Sequence, residues 1–251
     1  MSGLRRLALP LLLLVVWEVA VTLAGSPRAP KPSTVAVKAA EMLADGTLLA
    51  ALATSLGRVF GGFALATALA VPLGLVMGTV RPVERNLDPL VESFRPIAAI
   101  AILPLVILWM GSGNLAAVVI VAYAAFFPIV VNTVAGVKRI DPSFLRAART
   151  MGVPPLTRLR TVVLPAALPS ILVGMRIGLG IAWTAIIAAE LAVGAKAGSS
   201  GGIGQMMFVF YAYSIQLSGI VVCMVAVGLV AMLLDRSLRA VLDRAFPWSR
   251  A

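Results

Sequence analysis

Long apolar runs, separated by short polar stretches, alternate along this chain from its first residues to about residue 235. A helix that crosses a lipid bilayer needs about 20 mostly apolar residues, and about six runs approach or exceed that length. These runs are residues 7–24, 52–79, 96–110, 115–137, 168–193 and 217–234. The pattern therefore predicts an all-α integral membrane protein with about six transmembrane helices.

The first run has features of both a signal peptide and a membrane anchor, because it follows Arg5 and Arg6. An anchor is favoured, since Glu18 interrupts the run and the proline-rich segment 26–32 lacks a small-x-small cleavage pattern. We therefore expect residues 7–24 to form a retained anchor helix. Residues 52–245 then form the core of a single transmembrane domain that spans residues 1–251.

Composition strengthens the membrane assignment and excludes several kinds of chemistry. Hydrophobic residues make up 61% of the chain and charged residues 12%, whereas soluble domains carry about 25% charged residues. With no His and one Cys, imidazole metal sites, His-based acid–base catalysis and internal disulfides are excluded. We predict no catalytic residue and no metal site.

The charge balance of +11 arises from 21 Lys and Arg against 10 Asp and Glu. Placing the N-terminus in the cytoplasm puts most of the basic residues in cytoplasmic segments, namely Arg5, Arg6, Arg81, Arg85, Lys138, Arg139, Arg146, Arg149, Arg158, Arg160, Arg236, Arg239, Arg244 and Arg250. The outer segments then hold only Arg28, Lys31, Lys38 and Lys196. This asymmetry follows the positive-inside rule, so both termini are predicted to be cytoplasmic and no nucleic-acid partner is needed to explain the charge.

The cytoplasmic segment 138–165 reads as two short helices. Asp141 is a suitable N-cap, Pro142 suits the first helical position, and Gly152 can end the helix in a left-handed conformation. The second helix is predicted to start with Pro154 and Pro155 and to end before Pro165.

The first of these helices is amphipathic. Phe144, Ala148 and Met151 fall on one face, whereas Arg146, Arg149 and Thr150 fall on others. Such a helix could dock into a groove of a partner protein, or it could lie on anionic lipid with its basic side facing the headgroups. Periodicity does not separate these two interpretations.

A resemblance to a known family does separate them. The chain reads Arg146-Ala147-Ala148, three residues, Gly152, nine residues and then Val162-Val163-Leu164-Pro165. This spacing is similar to that of the EAA loop in the membrane subunits of ATP-binding-cassette importers, where the loop forms a coupling helix that sits in a groove of the ATP-hydrolysing subunit. The resemblance implies that segment 138–165 couples to an ATPase through Asp141, Arg146, Ala147, Ala148, Gly152, Leu164 and Pro165. Arg146 departs from the family, which usually has Glu there, and a change of sign requires a compensating partner surface.

The likeness extends over roughly residues 50–245. The residues that look like the nitrate, sulfonate and taurine permease branch are segments 54–63, 72–74, 87–89 and 95–97, residues 103–104 with Trp109, residues 126–128 with 132–133, and segment 178–183. The resemblance implies a type I importer permease in the bacterial cytoplasmic membrane, carrying a small organic or inorganic anion. It also implies two ATPase subunits that use ATP and Mg²⁺, a second permease copy, and a periplasmic or extracellular solute-binding protein. The chain itself would bind no cofactor and catalyse no reaction, and its remaining contacts would be with membrane lipid.

Three ionisable groups, Arg95, Arg176 and Glu190, lie in or beside apolar runs. Such groups are costly in a bilayer unless they have a partner or a role, so all three are candidate substrate-pathway residues. Arg95 is placed where its side chain could reach the interface instead. Arg176 could line an anion pathway or pair with another span, while Glu190 is better suited to pairing with Arg58 than to contacting an anion.

The glycines of the chain fall into two groups with different predicted roles. Gly198, Gly201, Gly202 and Gly204 are predicted to form a flexible outer stretch that faces a substrate-delivering protein, since Gln205 and Met206 follow where a phosphate loop needs Lys and Ser or Thr. Within the spans, Gly and Pro are predicted to serve close helix packing and kinks, as at Gly61, Gly62, Pro72, Gly74 and Gly78.

Two alternatives to an importer subunit stay open at this point. A stand-alone ion-coupled transporter or channel would need intramembrane carboxylates, and only Glu18 and Glu190 lie deep enough. A membrane anchor or sensor without transport is the other alternative.

Overall fold

The computed structural model of this protein describes residues 2–25, 29–193 and 201–245. These residues form helices joined by short connections, with no strand among them. The helices are α1 (Ser2–Ala24), α2 (Pro32–Ala44), α3 (Thr47–Thr79), α4 (Arg81–Phe94), α5 (Ala99–Met110), α6 (Asn114–Lys138), α7 (Pro142–Thr150), α8 (Pro155–Arg158), α9 (Leu164–Val193), α10 (Ile203–Ala212) and α11 (Leu217–Ala245). The predicted all-α fold is confirmed.

Four of the predicted spans coincide with helices that are long and apolar enough to cross a membrane. These helical stretches are Thr47–Thr79, Asn114–Lys138, Pro155–Val193 and Leu217–Leu242. Each contains an 18-residue window of high mean hydropathy with at most two charged residues, and a helix pairs most of its backbone polar groups internally, as lipid requires.

The third predicted span, residues 96–110, has a different form. Its helical part, α5, has only 12 residues and is too short to cross a bilayer by itself. It is bent by 96° relative to α4, and the two helices together form either a broken span or a re-entrant loop. Pro96 lies in the break and cannot donate a backbone hydrogen bond, so a straight helix through this point is disfavoured. The third predicted span therefore coincides with the second half of a bent helix pair.

The predicted anchor, residues 7–24, coincides with α1. The part of α1 from Leu12 to Ala24 is an apolar helix. Its Glu18 accepts hydrogen bonds from the backbone and hydroxyl of Ser33 at 3.0 and 2.9 Å, which connects α1 to the start of α2. That α1 crosses the membrane stays a prediction.

The chain divides into two compact units. One comprises Met1–Ser55 and Glu190–Val230, and the other comprises Leu56–Ala189 and Ala231–Ala251. The organisation of residues 1–251 as one transmembrane domain stays a prediction.

In the second unit, α6 is packed on both sides through glycines. A Cβ added to Gly74 of α3 would lie 2.6 Å from Thr133, and one added to Gly78 would lie 2.5 Å from Val137. Real Cβ atoms essentially never approach a neighbour that closely, so these two positions require Gly. The predicted role of span glycines in close helix packing is confirmed here.

On its other side, α6 meets α9 in the same way. A Cβ at Gly136 would lie 2.6 Å from Ser170, and a Cβ at Gly174 would lie 2.7 Å from Asn132. Helix α6 is consequently the most deeply packed of the four long apolar helices within the described residues, with half of its most apolar window buried.

Candidate functional site

Segment 138–165, called loop 138–165 below, begins with the helix that the sequence predicts. The carboxylate of Asp141 accepts a hydrogen bond from the backbone N–H of Ser143 at 2.8 Å, which satisfies one of the free donors at the start of α7. Pro142 is the first helical residue. Gly152, with φ of +68°, follows the end of the helix in the left-handed conformation. These predictions are confirmed. The hydrogen bonds from Ser143 hold the pKa of the Asp141 carboxyl below its usual value.

The second half of the loop differs from the prediction. A helix does begin at Pro155, but it does not end before Pro165, because α8 continues through a π-helical turn at Leu159–Val163 directly into α9. In that turn the N–H of Leu164 donates to the carbonyl of Leu159, five residues earlier. Pro165 has no backbone N–H to donate, and the wider hydrogen-bonding pattern of the π turn lets the helix continue past it. The predicted helix end is therefore wrong.

The inner side of loop 138–165 rests on a hydrophobic core. Ile140 and Val163 are buried in one cluster with Leu75 of α3 and Val137 of α6. Leu145 of α7, together with Leu159 and Leu164, packs against this cluster. Burial of these apolar side chains fixes the loop to the ends of three long helices.

The outer side of the loop carries apolar side chains that the chain itself leaves uncovered. Phe144 is 63% exposed, Met151 72% and Leu156 60%. These three residues define what we call the loop surface. Arg146, Arg149 and Arg160 of the same loop are also exposed. Ala148, in contrast, is only 5% exposed and faces inward. The prediction that Phe144, Ala148 and Met151 share one face is therefore wrong, because Phe144 and Met151 are exposed and Ala148 is buried.

The predicted coupling residues divide between these two sides. Ala148 is buried and Leu164 is partly buried, whereas the exposed ones are Asp141, Arg146, Ala147, Gly152 and Pro165. Phe144 already stood out in the periodicity of α7, but Leu156 was missed, because a single apolar residue in a four-residue helix gives no periodic signal.

Arg176 has a structural partner. Its Nε lies 2.6 Å from Oδ1 of Asp235 on α11, and its Nη2 lies 3.2 Å from Oδ2. Arg239 lies 3.2 Å from the same carboxylate. Of the two alternatives for Arg176, a pathway residue or a partner of another span, this two-point pair favours the second. The sequence did not identify Asp235, because it lies just beyond the last apolar run.

Glu190 is almost completely buried, at 2% exposure. The hydroxyl of Ser55 donates to its carboxylate, with Oγ 2.8 and 2.9 Å from the two oxygens, and the N–H of Gly204 donates to it at 3.0 Å. The N–H of Ile203 in turn donates to Oγ of Ser55 at 2.9 Å. A Cβ added to Gly202 would collide with the carboxylate. We call these five residues the Glu190 cluster.

The Glu190 cluster places an acidic group at the N-terminus of α10, where the partial positive charge of a helix stabilises it. Gly204 lies inside α10, so the prediction of a flexible stretch is wrong at that residue, while Gly198 lies outside the described residues.

Arg58 donates from Nε to Oδ1 of Asn114 at 2.9 Å. Its pairing with Glu190 stays a prediction.

Arg95 follows the last residue of α4 and lines a cavity of about 560 Å³. Its role in a substrate pathway stays a prediction at this point. Within the described parts of the chain, no three His, Cys, Asp or Glu side chains are grouped so that they could hold a metal ion.

Comparison with known proteins gives these features a context. Residues 70–246 match the family described as the binding-protein-dependent transport system inner membrane component. A Methanocaldococcus jannaschii protein named as an ABC transporter permease is 38% identical, with 98% of this chain and 92% of the relative aligned. The taurine transport system permease protein TauC of Escherichia coli is 36% identical over 96% of this chain and 87% of its own length. Among solved structures, an inward-facing MetNI methionine ABC transporter has a similar fold, with a TM-score of 0.64 and 24% identity over 78% of this chain and 96% of that chain.

Proposed function

This chain belongs to the family of binding-protein-dependent transport system inner membrane components and is a permease subunit of an ABC importer, and on that basis we propose that it moves a small anion of the sulfonate, taurine or nitrate kind. The family implies ATPase partners and a solute-binding protein. It also leaves no support for a stand-alone ion-coupled transporter or for a sensor without transport.

The observation that supports coupling to an ATPase subunit is the two-sided construction of loop 138–165. Its inner side is packed on the ends of α3, α6 and α9 through Leu75, Val137 and Val163. Its outer side presents Phe144 and Met151 to the surroundings. A rigid base under an uncovered apolar patch with a basic rim is what a partner protein with a complementary groove requires.

We assign the occupant of the loop surface as an ATPase subunit. The exposed Arg146, Arg149 and Arg160 would be met by acidic groups at the rim of its groove, which accounts for Arg146 in place of the usual Glu. Anionic lipid is the weaker alternative, because α7 has nine residues and is fixed at both ends by the folded chain.

The family implies ATPase partners, and this sequence contains no Walker-type motif of its own. In the proposed assembly, ATP and Mg²⁺ are bound and ATP is hydrolysed on the separate ATPase subunit. Two copies of the permease, related by a two-fold axis, would pair with two ATPases. Both termini and loop 138–165 face the cytoplasm of a bacterial cell, and the binding protein delivers cargo from the other side.

In this scheme, ATP binding draws the two ATPase subunits together and each carries its loop surface with it. Because the base of the loop is packed on α3, α6 and α9, the ends of these helices move with the loop. The assembly thereby changes from an inward-open to an outward-open state, and cargo enters from the binding protein.

The test is co-purification of the ATPase with the tagged full-length chain in mild detergent. We expect Phe144→Asp or Met151→Asp to reduce recovery of the ATPase at least about tenfold, since each places a charge in an apolar contact. Thr157→Asp is the matched control, because it adds the same charge to an exposed position of the same loop. Equal recovery for all three variants would contradict the assignment of the loop surface.

A further inference from the structure

A cavity of about 560 Å³ lies within the second unit, between the turn that follows α4 and the helices α6 and α9. Its walls are mainly apolar and include Ile97, Phe127, Ile177 and Ile181. This volume falls in the range typical of small-molecule sites, which is roughly 300–1,000 Å³. It is several times larger than a nitrate or bicarbonate ion needs.

Arg95 is the one charged side chain among the described residues that line this cavity. Its guanidinium makes no ion pair and no side-chain hydrogen bond within the described parts of the chain. Arg176 of the same unit, in contrast, is held by Asp235. Arg95 is exposed at the edge of the cavity, so its guanidinium is free to pair with an anion that enters beside the apolar wall.

The carboxylates near Arg95 do not pair with its guanidinium within the described residues. Asp88, Glu92 and Lys138 border a second pocket, which Arg95 also lines. Lys138 is paired with Glu84. Neither Asp88 nor Glu92 forms an ion pair with Arg95 in the part of the chain that the structure describes.

The other polar groups of the cavity define which ligand chemistry fits. Asn132 donates one N–H of its side chain to the carbonyl of Pro128 at 2.8 Å, which leaves its second N–H for a ligand oxygen. Tyr123 donates to the carbonyl of Phe94 at 2.9 Å and so ties down the turn that carries Arg95. No carboxylate lines the cavity among the described residues, so a ligand ammonium group has no partner there.

We propose that Arg95 is the specificity-determining cation that holds the anionic head of the cargo, and that the apolar walls select cargo with a hydrocarbon body. The cargo class is then an alkyl or aryl sulfonate or a comparable carboxylate, in preference to an inorganic anion or a zwitterion. This inference rests on the proposed function, because it assumes that cargo passes through this cavity.

The test measures equilibrium binding of radiolabelled 1-hexanesulfonate to the complete permease–ATPase complex in lipid nanodiscs. We expect Arg95→Gln to weaken binding about tenfold or more, because a charge-assisted hydrogen bond is lost. Arg95→Lys keeps the charge but not the two-point geometry and should be intermediate. Arg85→Gln is the matched control, since it removes the same charge from an exposed position on α4 that lines neither pocket.

Competition tests the cargo class. Nitrate, bicarbonate and taurine, each at the concentration at which unlabelled 1-hexanesulfonate displaces half of the label, should displace much less. Equal binding by the Arg95→Gln and unmodified complexes overturns the role of Arg95. Absence of 1-hexanesulfonate binding to the unmodified complex, or equal displacement by nitrate, overturns the cargo class.

Failure of the proposed function gives a different result. If the chain were not coupled to an ATPase, no ATPase would co-purify and no complex would be available for the binding measurement. A complex that assembles and hydrolyses ATP, but whose 1-hexanesulfonate binding does not depend on Arg95, contradicts only the present inference.

Discussion

Loop 138–165 and the Glu190 cluster differ in which side chains they expose and which they bury. The loop leaves the apolar side chains of Phe144 and Met151 exposed, whereas the cluster buries a carboxylate at 2% exposure and supplies its hydrogen bonds from Ser55 and Gly204. A water-facing surface gains nothing from the first arrangement, and a buried charge is tolerated only with the second.

The difference separates a region completed by a partner from a region completed by the chain itself. Changes in the Glu190 cluster should therefore act on the stability of the isolated protein. Changes in the loop should act mainly on coupled transport and should cost less stability than changes in the cluster. Four substitutions test this separation.

The largest effect is expected for Glu190→Leu. Removing the carboxylate leaves the Ser55 hydroxyl and the Gly204 N–H buried without their acceptor, which should lower the free energy of unfolding by about 3–5 kcal/mol. The measurement is thermal unfolding of the purified protein in detergent. Glu190→Gln, which retains an acceptor oxygen of similar shape, should lose clearly less, and equal melting temperatures for Glu190→Leu and the unmodified protein would show that the cluster does not stabilise the fold.

Next in size is Gly202→Ala. The new Cβ would collide with the carboxylate of Glu190, and this side chain has little freedom to move because Ser55 and Gly204 hold it. We expect a loss of about 1–3 kcal/mol, as for other overpacked sites. Gly201→Ala is the neighbouring control, since the nearest atom to its added Cβ is Oε1 of Gln205 at 3.3 Å. Similar melting temperatures for the two variants would contradict this account.

In the loop, Gly152→Val should have a smaller effect on stability and a large effect on function. A β-branched residue at φ of +68° is strained by about 1–2 kcal/mol, and the strain falls on the loop surface beside Met151. We expect membrane insertion to persist while ATP-coupled uptake in vesicles with the ATPase and binding protein is lost. Gly152→Asn tolerates the left-handed conformation and should retain most uptake, so loss in both variants would point to a cause other than backbone conformation.

The smallest effect concerns the cap at Asp141 and its dependence on pH. Hydrogen bonds from Ser143 lower the pKa of this carboxyl in the folded loop, so its stabilising effect is present above the ordinary aspartate pKa of about 3.9 and is lost as pH falls through the lowered value. Hydrogen exchange of the α7 amides, corrected for intrinsic rates, should show faster opening only below that range. Asp141→Asn keeps a capping oxygen and should remove the pH dependence, while Asp141→Ala should open faster at every pH.

The sequence predicts local features of this molecule better than long-range ones. Asp141, Pro142 and Gly152 were placed correctly because helix ends depend on residues one to three positions away. Pro165 was misread because a π turn, which has no simple sequence signature, carries the helix past it. The inward orientation of Ala148 depends on what lies beneath α7, and periodicity alone contains no information about that neighbour.

Partners distant in sequence were the least predictable. The need of Arg176 for an anion or a partner follows from its apolar surroundings, but Asp235 lies 59 positions away. Ser55 is separated from Glu190 by 135 positions. Several polar residues could serve as a partner, and only the packing of the helices decides which one lies close enough. That packing depends on contacts at small residues of α3, α6 and α9, which a hydropathy pattern does not reveal.

The glycine contacts of α6 have a mechanical consequence. Side chains of α6 fill the notches left by Gly74 and Gly78 of α3, and the notch at Gly174 of α9 receives Asn132 of α6. Sliding any of these helices along its axis would drive a side chain out of its notch and onto the adjoining ridge. We therefore expect these contacts to resist shear between the three helices, so that a force applied at loop 138–165 tilts α3, α6 and α9 together.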